Sequence, residues 1–247
     1  PIAHWRFDEA PISIVATDSA GNFTGTLSPT GAGFVAGGRS GNALSINRSA
    51  NGYANFGNIL PFTNGSFTIS AWIKPPAGDT TFNANFISKH YSGYANGYIL
   101  SYGWFAPQAN KALLYYGTRS TNGIQEVVTS TTDVNDGGWH QIVGVYQAGG
   151  TTSIYVDGAP VEGAITTSPI AGNNAPFIVG GNMLGAAVET RFQGLVDDVQ
   201  VYDRALGNDE VHFLYLNPGQ ALTSSVPVIA PFIVAPPTNL TVSAGSN

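Results

Sequence analysis

The run Phe67-Thr68-Ile69-Ser70-Ala71-Trp72-Ile73 decides the fold class, because apolar residues recur at every second position and place Phe67, Ile69, Ala71 and Ile73 on one face. Outward from it, the same pattern predicts strands over residues 97–102, 112–116, 126–131, 139–147, 152–156, 177–180 and 194–202. Turn chemistry separates them. Ala148-Gly149-Gly150-Thr151 lies between two of these runs, and Asp157-Gly158, which tolerates positive φ, follows Ser153-Ile154-Tyr155-Val156 as a tight hairpin turn would. No long segments of 3.6-residue period alternate with the strands, which argues against parallel α/β folds and leaves an antiparallel sandwich or barrel. The single predicted helix is short and late: Asn208 as N-cap, Asp209 and Glu210 complementing the dipole, then Val211-His212-Phe213-Leu214-Tyr215-Leu216 before Asn217-Pro218-Gly219.

The 247 residues suit one large all-β domain or two modest ones, and they include no cysteine, so disulfide scaffolds and thiolate metal sites are excluded. Only 10% of residues are charged, against roughly a quarter in ordinary globular chains. Nine Lys and Arg against 15 Asp and Glu give a net charge of −6, which offers no basic field to nucleic acid. No apolar run approaches the roughly 18–20 residues of a membrane span. Residues 1–220 are expected to form the globular unit, 221–237 a linker rich in Pro, Ser and Val, and 238–247, with Thr238-Asn239-Leu240-Thr241-Val242-Ser243, a segment that resembles the first strand of an immunoglobulin-like domain. With Pro1 where an initiator Met or signal peptide would sit, the chain reads as a soluble segment of a longer polypeptide.

Several segments in order resemble one family. His4-Trp5-Arg6-Phe7-Asp8-Glu9, followed by Asp18 to Leu27, is similar to the opening of laminin G-like, concanavalin A-like jelly-roll modules of secreted bacterial proteins. Phe67 to Pro75 resembles their central strand, Trp139 to Tyr146 with Ile154-Tyr155-Val156-Asp157-Gly158 the hairpin that follows, and Gly194 to Leu206 the closing strand. The resemblance implies an all-β, two-sheet antiparallel β-sandwich with the N-terminal and closing strands adjacent.

Oxygen donors concentrate in the Gly-containing turn Asp18-Ser19-Ala20-Gly21-Asn22-Phe23-Thr24, the kind of curled backbone a hard cation needs. Asp197-Asp198 is an acidic pair flanked by apolar strand residues, and strict alternation would send one carboxylate toward the side of Leu195, Val199 and Val201. The resemblance joins the two segments, since such modules often carry structural calcium where the early loop meets the closing strand. It implies Ca2+ held by Asp18, Asn22 and one of Asp197 or Asp198, with Glu9 as an outer-shell partner. The same residues also suit Asx-turns and an ion pair with an arginine such as Arg191.

Between Asn83 and Tyr116, aromatic residues interleave with amides, a combination that binds sugars through apolar C–H faces and hydroxyls without net charge. Tyr91, Tyr94 and Trp104 sit in Gly- and Ser-rich loop segments and are the candidate glycan platform; Tyr98 and Tyr102 share a strand face with Leu100 and suit the core. Catalysis finds less support. Glycosidases need two carboxylates across the scissile bond, and Glu9, Glu126, Glu162, Glu189 and Glu210 are scattered, without the Glu-x-Asp-x-x-Glu strand of related glucanases. His140-Gln141 stands in the wrong order for the lyases of this architecture, and there is no Gly-x-Ser-x-Gly elbow. The expectation is a non-catalytic, calcium-stabilised carbohydrate-recognition module of a larger secreted or cell-surface protein, its partner a neutral or weakly charged glycan; the alternatives are a protein-interaction, adhesion or spacer module, and an enzyme with an unfamiliar site.

Overall fold

The computed structural model describes residues 1–63, 65–91, 96–103, 110–118 and 125–223. Tyr94, Trp104, most of the expected linker and all of 238–247 lie outside the described residues.

Two eight-stranded antiparallel sheets enclose one core. The first sheet runs in the order Gly163–Thr166, Thr151–Val156, His140–Tyr146, Phe67–Lys74, Gly194–Tyr202, Asn42–Ile46 and Ala32–Ala36. Ala3–Trp5 pairs with the closing strand Gly194–Tyr202 beside Asn42–Ile46, so the N-terminal and closing strands are adjacent as expected. The second sheet runs Gln125–Asp133, Lys111–Thr118, Asn96–Tyr102, Ala84–Lys89, Ile178–Val179, Ala54–Asn55, Gly25–Leu27 and Val15–Ala16. A separate hairpin, Gly181–Leu184 with Ala187–Thr190, contacts Ala84–Lys89. The expected strand 177–180 shortens because Gly180, at φ +100°, turns the chain out of the sheet and into this hairpin.

Alternation explains the core. Phe67, Ile69, Ala71 and Ile73 face inward, with Tyr98, Leu100 and Tyr102 opposite them from the second sheet, and each large side chain so buried contributes about 1.5–3 kcal/mol. The sheets approach closely at Gly144, where a Cβ would meet Leu100 and Leu114 side chains at 2.9 and 3.2 Å. Asp157 and Gly158 have φ of +53° and +66°, and the Ala159 N–H donates to the Val156 carbonyl, a tight turn of the kind the Asp-Gly pair predicts.

The first sheet is also covered on its outer face. Val143, Val145, Tyr155 and Tyr202 pack there against Leu206, Val211, Leu214 and Leu222 from the helix and its flanks. That helix spans Asn208–Leu216, so Gly207, not Asn208, is the cap. The Asn208 side-chain oxygen instead accepts from the Tyr155 hydroxyl at 3.0 Å, and Glu210 folds back to accept from the Gly207 N–H at 3.1 Å.

Candidate functional site

The acidic residues singled out for calcium fold into two separate arrangements. Asp18 is buried beside the first strand, and its carboxylate is filled by backbone donors: Oδ1 accepts from His4 and Ala20 N–H at 2.8 and 2.9 Å, Oδ2 from Asn22 and Phe23 N–H at 3.1 and 3.0 Å. Asn22 is exposed and contributes that N–H. Glu9 lies apart from this carboxylate, its Oε1 accepting the Thr17 N–H at 2.5 Å.

Strict alternation fails at Asp197-Asp198. The closing strand carries a bulge between Asp197 and Gln200, with Asp198 at φ +47°, so Val196, Val199 and Val201 all face the core and neither carboxylate does. Both are buried on the outer face instead. Asp197 accepts from the N–H groups of Ser40 at 2.9 Å and Asp198 at 2.7 Å, and burial, then the Asp198 charge, push it up to about 7. Asp198 accepts from His4 Nε2 at 2.5 Å, Gly219 N–H at 2.8 Å and the Gln200 amide at 3.2 and 3.3 Å. Nearby, the Arg39 guanidinium lies 4.4 Å over the Trp72 ring, which also stacks on Tyr215 of the helix. Arg191 pairs with Glu189, not with either aspartate. Among the described residues no three acidic or histidine side chains converge as metal ligands. The acceptor positions of Asp18 and Asp198 that a hard cation would use are taken by N–H donors of the chain, whereas Asp197 accepts two N–H groups.

Tyr91, the one platform candidate among the described residues, occupies the end of the second sheet where Ala84–Lys89 leaves the ladder. It is half-buried and bridges Met183 of the outer hairpin, while the His90 ring meets the edge of Tyr115 at 5.1 Å. Burial raises the Tyr115 phenol to about 12, keeping it neutral. Amides gather at the same end. The Asn173 amide donates to the Lys89 carbonyl at 3.1 Å and to Asn96 Oδ1 at 3.3 Å, and the Asn58 amide reaches Asn174 Oδ1 at 3.5 Å. Asn182, in the hairpin, is buried with Oδ1 lacking a partner, and Asn85, further along the strand, is fully buried with neither amide atom bonded. Sequence reasoning missed Asn58, Asn173, Asn174 and Asn182 because three distant segments bring them together. Gly172-Asn173-Asn174 between strands was the available local signal.

The five glutamates are held in separate places, by Thr17, Ser168, the Thr131-Thr132 pair, Arg191 and Arg204. His140 lies between Asp157 at 2.8 Å and Asp136 at 3.0 Å, and chiefly the Asp157 hydrogen bond holds its pKa above the usual imidazole value.

Comparison with known proteins places this geometry. Domain 4 of AbnA, an extracellular arabinanase from Geobacillus stearothermophilus solved with arabinotriose, superposes with a TM-score of 0.65 at 23% identity, covering 86% of this chain and 97% of that one. A botulinum neurotoxin type C structure, described as entering cells through two ganglioside molecules, gives a TM-score of 0.64 at 13% identity over 87% of this chain and 50% of its own. In sequence, the chain is 30% identical over 170 residues to the adhesion G-protein coupled receptor V1 of Danio rerio, covering 66% of this chain and only 2% of the receptor. The Laminin_G_3 family model, described as the concanavalin A-like lectin/glucanases superfamily, matches residues 48–212. With two antiparallel sheets, one short helix and that match over most of the described fold, the chain belongs to the concanavalin A-like lectin/glucanases superfamily, in its laminin G-like branch.

Proposed function

We propose that this chain is a non-catalytic carbohydrate-binding module of an extracellular protein, and that it binds glycans at the Tyr91 end of the second sheet. The observation that carries the reading is the group of amides Asn58, Asn96, Asn173 and Asn174 around the end of the strand that runs into His90 and Tyr91, with Tyr115 against His90 and the hairpin of Asn182 bridged to Tyr91, a neutral set of rings and amides suited to sugar C–H faces and hydroxyls. Tyr94 and Trp104, the other two residues expected for the platform, flank the Asn96–Tyr102 strand in sequence and are assigned to the same site. The arabinotriose complex of the AbnA domain and the ganglioside dependence of the neurotoxin support a sugar ligand. Separate placement of the glutamates supports a binding role over hydrolysis, which needs two carboxylates across one bond. A second reading, a protein-adhesion role, rests on the likeness to the adhesion receptor.

Retention on insoluble polysaccharides and a glycan array tests the proposal. A folded Tyr91→Ala/Tyr94→Ala/Trp104→Ala variant is expected to lose glycan binding while keeping its melting temperature within a few degrees. Glycan affinity that survives in that variant moves the platform elsewhere, and silence of the wild type across broad panels leaves the adhesion reading.

A further inference from the structure

Lys89 is the only lysine or arginine classed as buried among the described residues, at 1% exposure, and it takes part in none of the ion pairs found there. Its Nζ donates to Asn58 Oδ1 at 2.8 Å and to the Ala175 carbonyl at 2.7 Å, both neutral acceptors. Buried charges are ordinarily matched by an opposite charge, because neutral dipoles recover only part of the lost hydration. Consistent with this, burial alone brings the Lys89 ammonium down to about 8. The cover over this amine is thin. Asn58 and its partner Asn174 are both exposed, and the hydrogen bond between them is long at 3.5 Å, so one of the two acceptors of Nζ is a surface amide. The amine is therefore held by a surface residue, against the Asn58 and Asn174 amides of the proposed glycan site.

We propose that Lys89, gated by Asn58, is the acid-recognising group of that site: it accepts the carboxylate of an acidic sugar residue, with the Asn58 and Asn174 amides taking neighbouring hydroxyls. The inference rests on the carbohydrate-binding reading and narrows it to glycans bearing uronic-type residues. A carboxylate in place of Asn58 Oδ1 restores the missing counter-charge and gains a charge-assisted hydrogen bond. The net charge of −6 opposes dense polyanions, so the ligand carries its acids sparsely, as single residues in an otherwise neutral chain.

Calorimetric titration with a uronate-containing oligosaccharide and its carboxyl-reduced counterpart isolates the carboxylate. Wild type is expected to prefer the acidic form by about tenfold or more. Lys89→Gln, which keeps a neutral polar group in place of the amine, should erase the preference, so that the two sugars bind with equal affinity. Asn58→Asp supplies a permanent carboxylate over the amine and should erase it too, without depending on how Lys89→Gln folds. Equal binding of the two sugars by wild type, or a preference that survives in both folded variants, overturns the role of Lys89 and leaves the carbohydrate reading standing. Binding of neither sugar, nor of any glycan on the array, overturns both.

Discussion

On the outer face of the first sheet and along its N-terminal strand, buried carboxylates are closed by donors of the same chain; at the Tyr91 end of the second sheet, buried polar groups are left open. Asp18 takes four N–H groups, and Asp198 takes His4, Gln200 and Gly219. Asn182 Oδ1 takes none, Lys89 has neutral acceptors where a charge belongs, and toward the other end of the Ala84–Lys89 strand both amide atoms of Asn85 are open as well. The contrast is between those carboxylates and these groups, since the first sheet also buries Trp72 Nε1 and Gln141 Oε1 without partners. Closed networks fix the chain path, here tying the N-terminal strand and the segment after the helix onto the closing strand. Open groups cost stability in the free protein, and a polar ligand can repay that cost.

The largest expected effect breaks the closed network. Asp198→Ala strands the donors of His4, Gln200 and Gly219 and should lower the unfolding free energy by about 3–5 kcal/mol in urea titrations, with glycan affinity of the folded fraction unchanged. A loss under 1 kcal/mol would show that water replaces those bonds and that the network is less closed than drawn.

Next in size is the pH dependence. Asp197 titrates at about 7 in the folded chain, so the stability it contributes is complete below its unfolded value near 4 and is lost as the pH rises through 7. His140, raised by Asp157, acts in the same sense, its contribution present below about 6.5 and lost at higher pH. Unfolding free energy should therefore fall from pH 5 to pH 8, by on the order of 2 kcal/mol for Asp197. Asp197→Asn should flatten most of that slope, and a slope unchanged in that variant contradicts the burial assigned to this carboxyl.

A smaller effect sharpens the open side of the comparison. Asn85→Leu removes a buried amide without partners and should raise stability by about 1 kcal/mol or leave it unchanged, read from the thermal midpoint. Destabilisation by a similar amount would mean that Asn85 holds ordered water and is closed after all. The smallest expected effect is none: with the acceptors of Asp18 and Asp198 already filled, a chelator should leave the melting temperature where it was. A drop of several degrees would restore calcium to the account.

The sandwich was legible because alternation is a local signal. Phe67–Ile73 and the run Tyr98, Leu100, Tyr102 carry their inward faces in the sequence itself, and Asp157-Gly158 carries its turn. The acidic pair was misread for an equally physical reason. One bulge at Asp198 shifts the phase of the strand, and a period-two reading cannot register an extra residue. Asn208 looked like a cap until the Tyr155 hydroxyl, 53 positions away, claimed its side chain. The site was legible only in its aromatic half, through Tyr91. Its amide half assembles from the segments around Asn58, Asn96 and Asn173, and the lack of an ion pair to Lys89 among the described residues depends on what the fold keeps away from it.

Backbone amide chemical shifts recorded during titration with a retained oligosaccharide compare the two regions in one experiment. Shifts are predicted at Lys89 to Tyr91, Asn96, Asn173 to Ala175 and Asn182, with Ser40, Asp198 and Gly219 unmoved. Shifts centred on Ser40, Asp198 and Gly219, with the Tyr91 end silent, would contradict the assignment of binding to the open region.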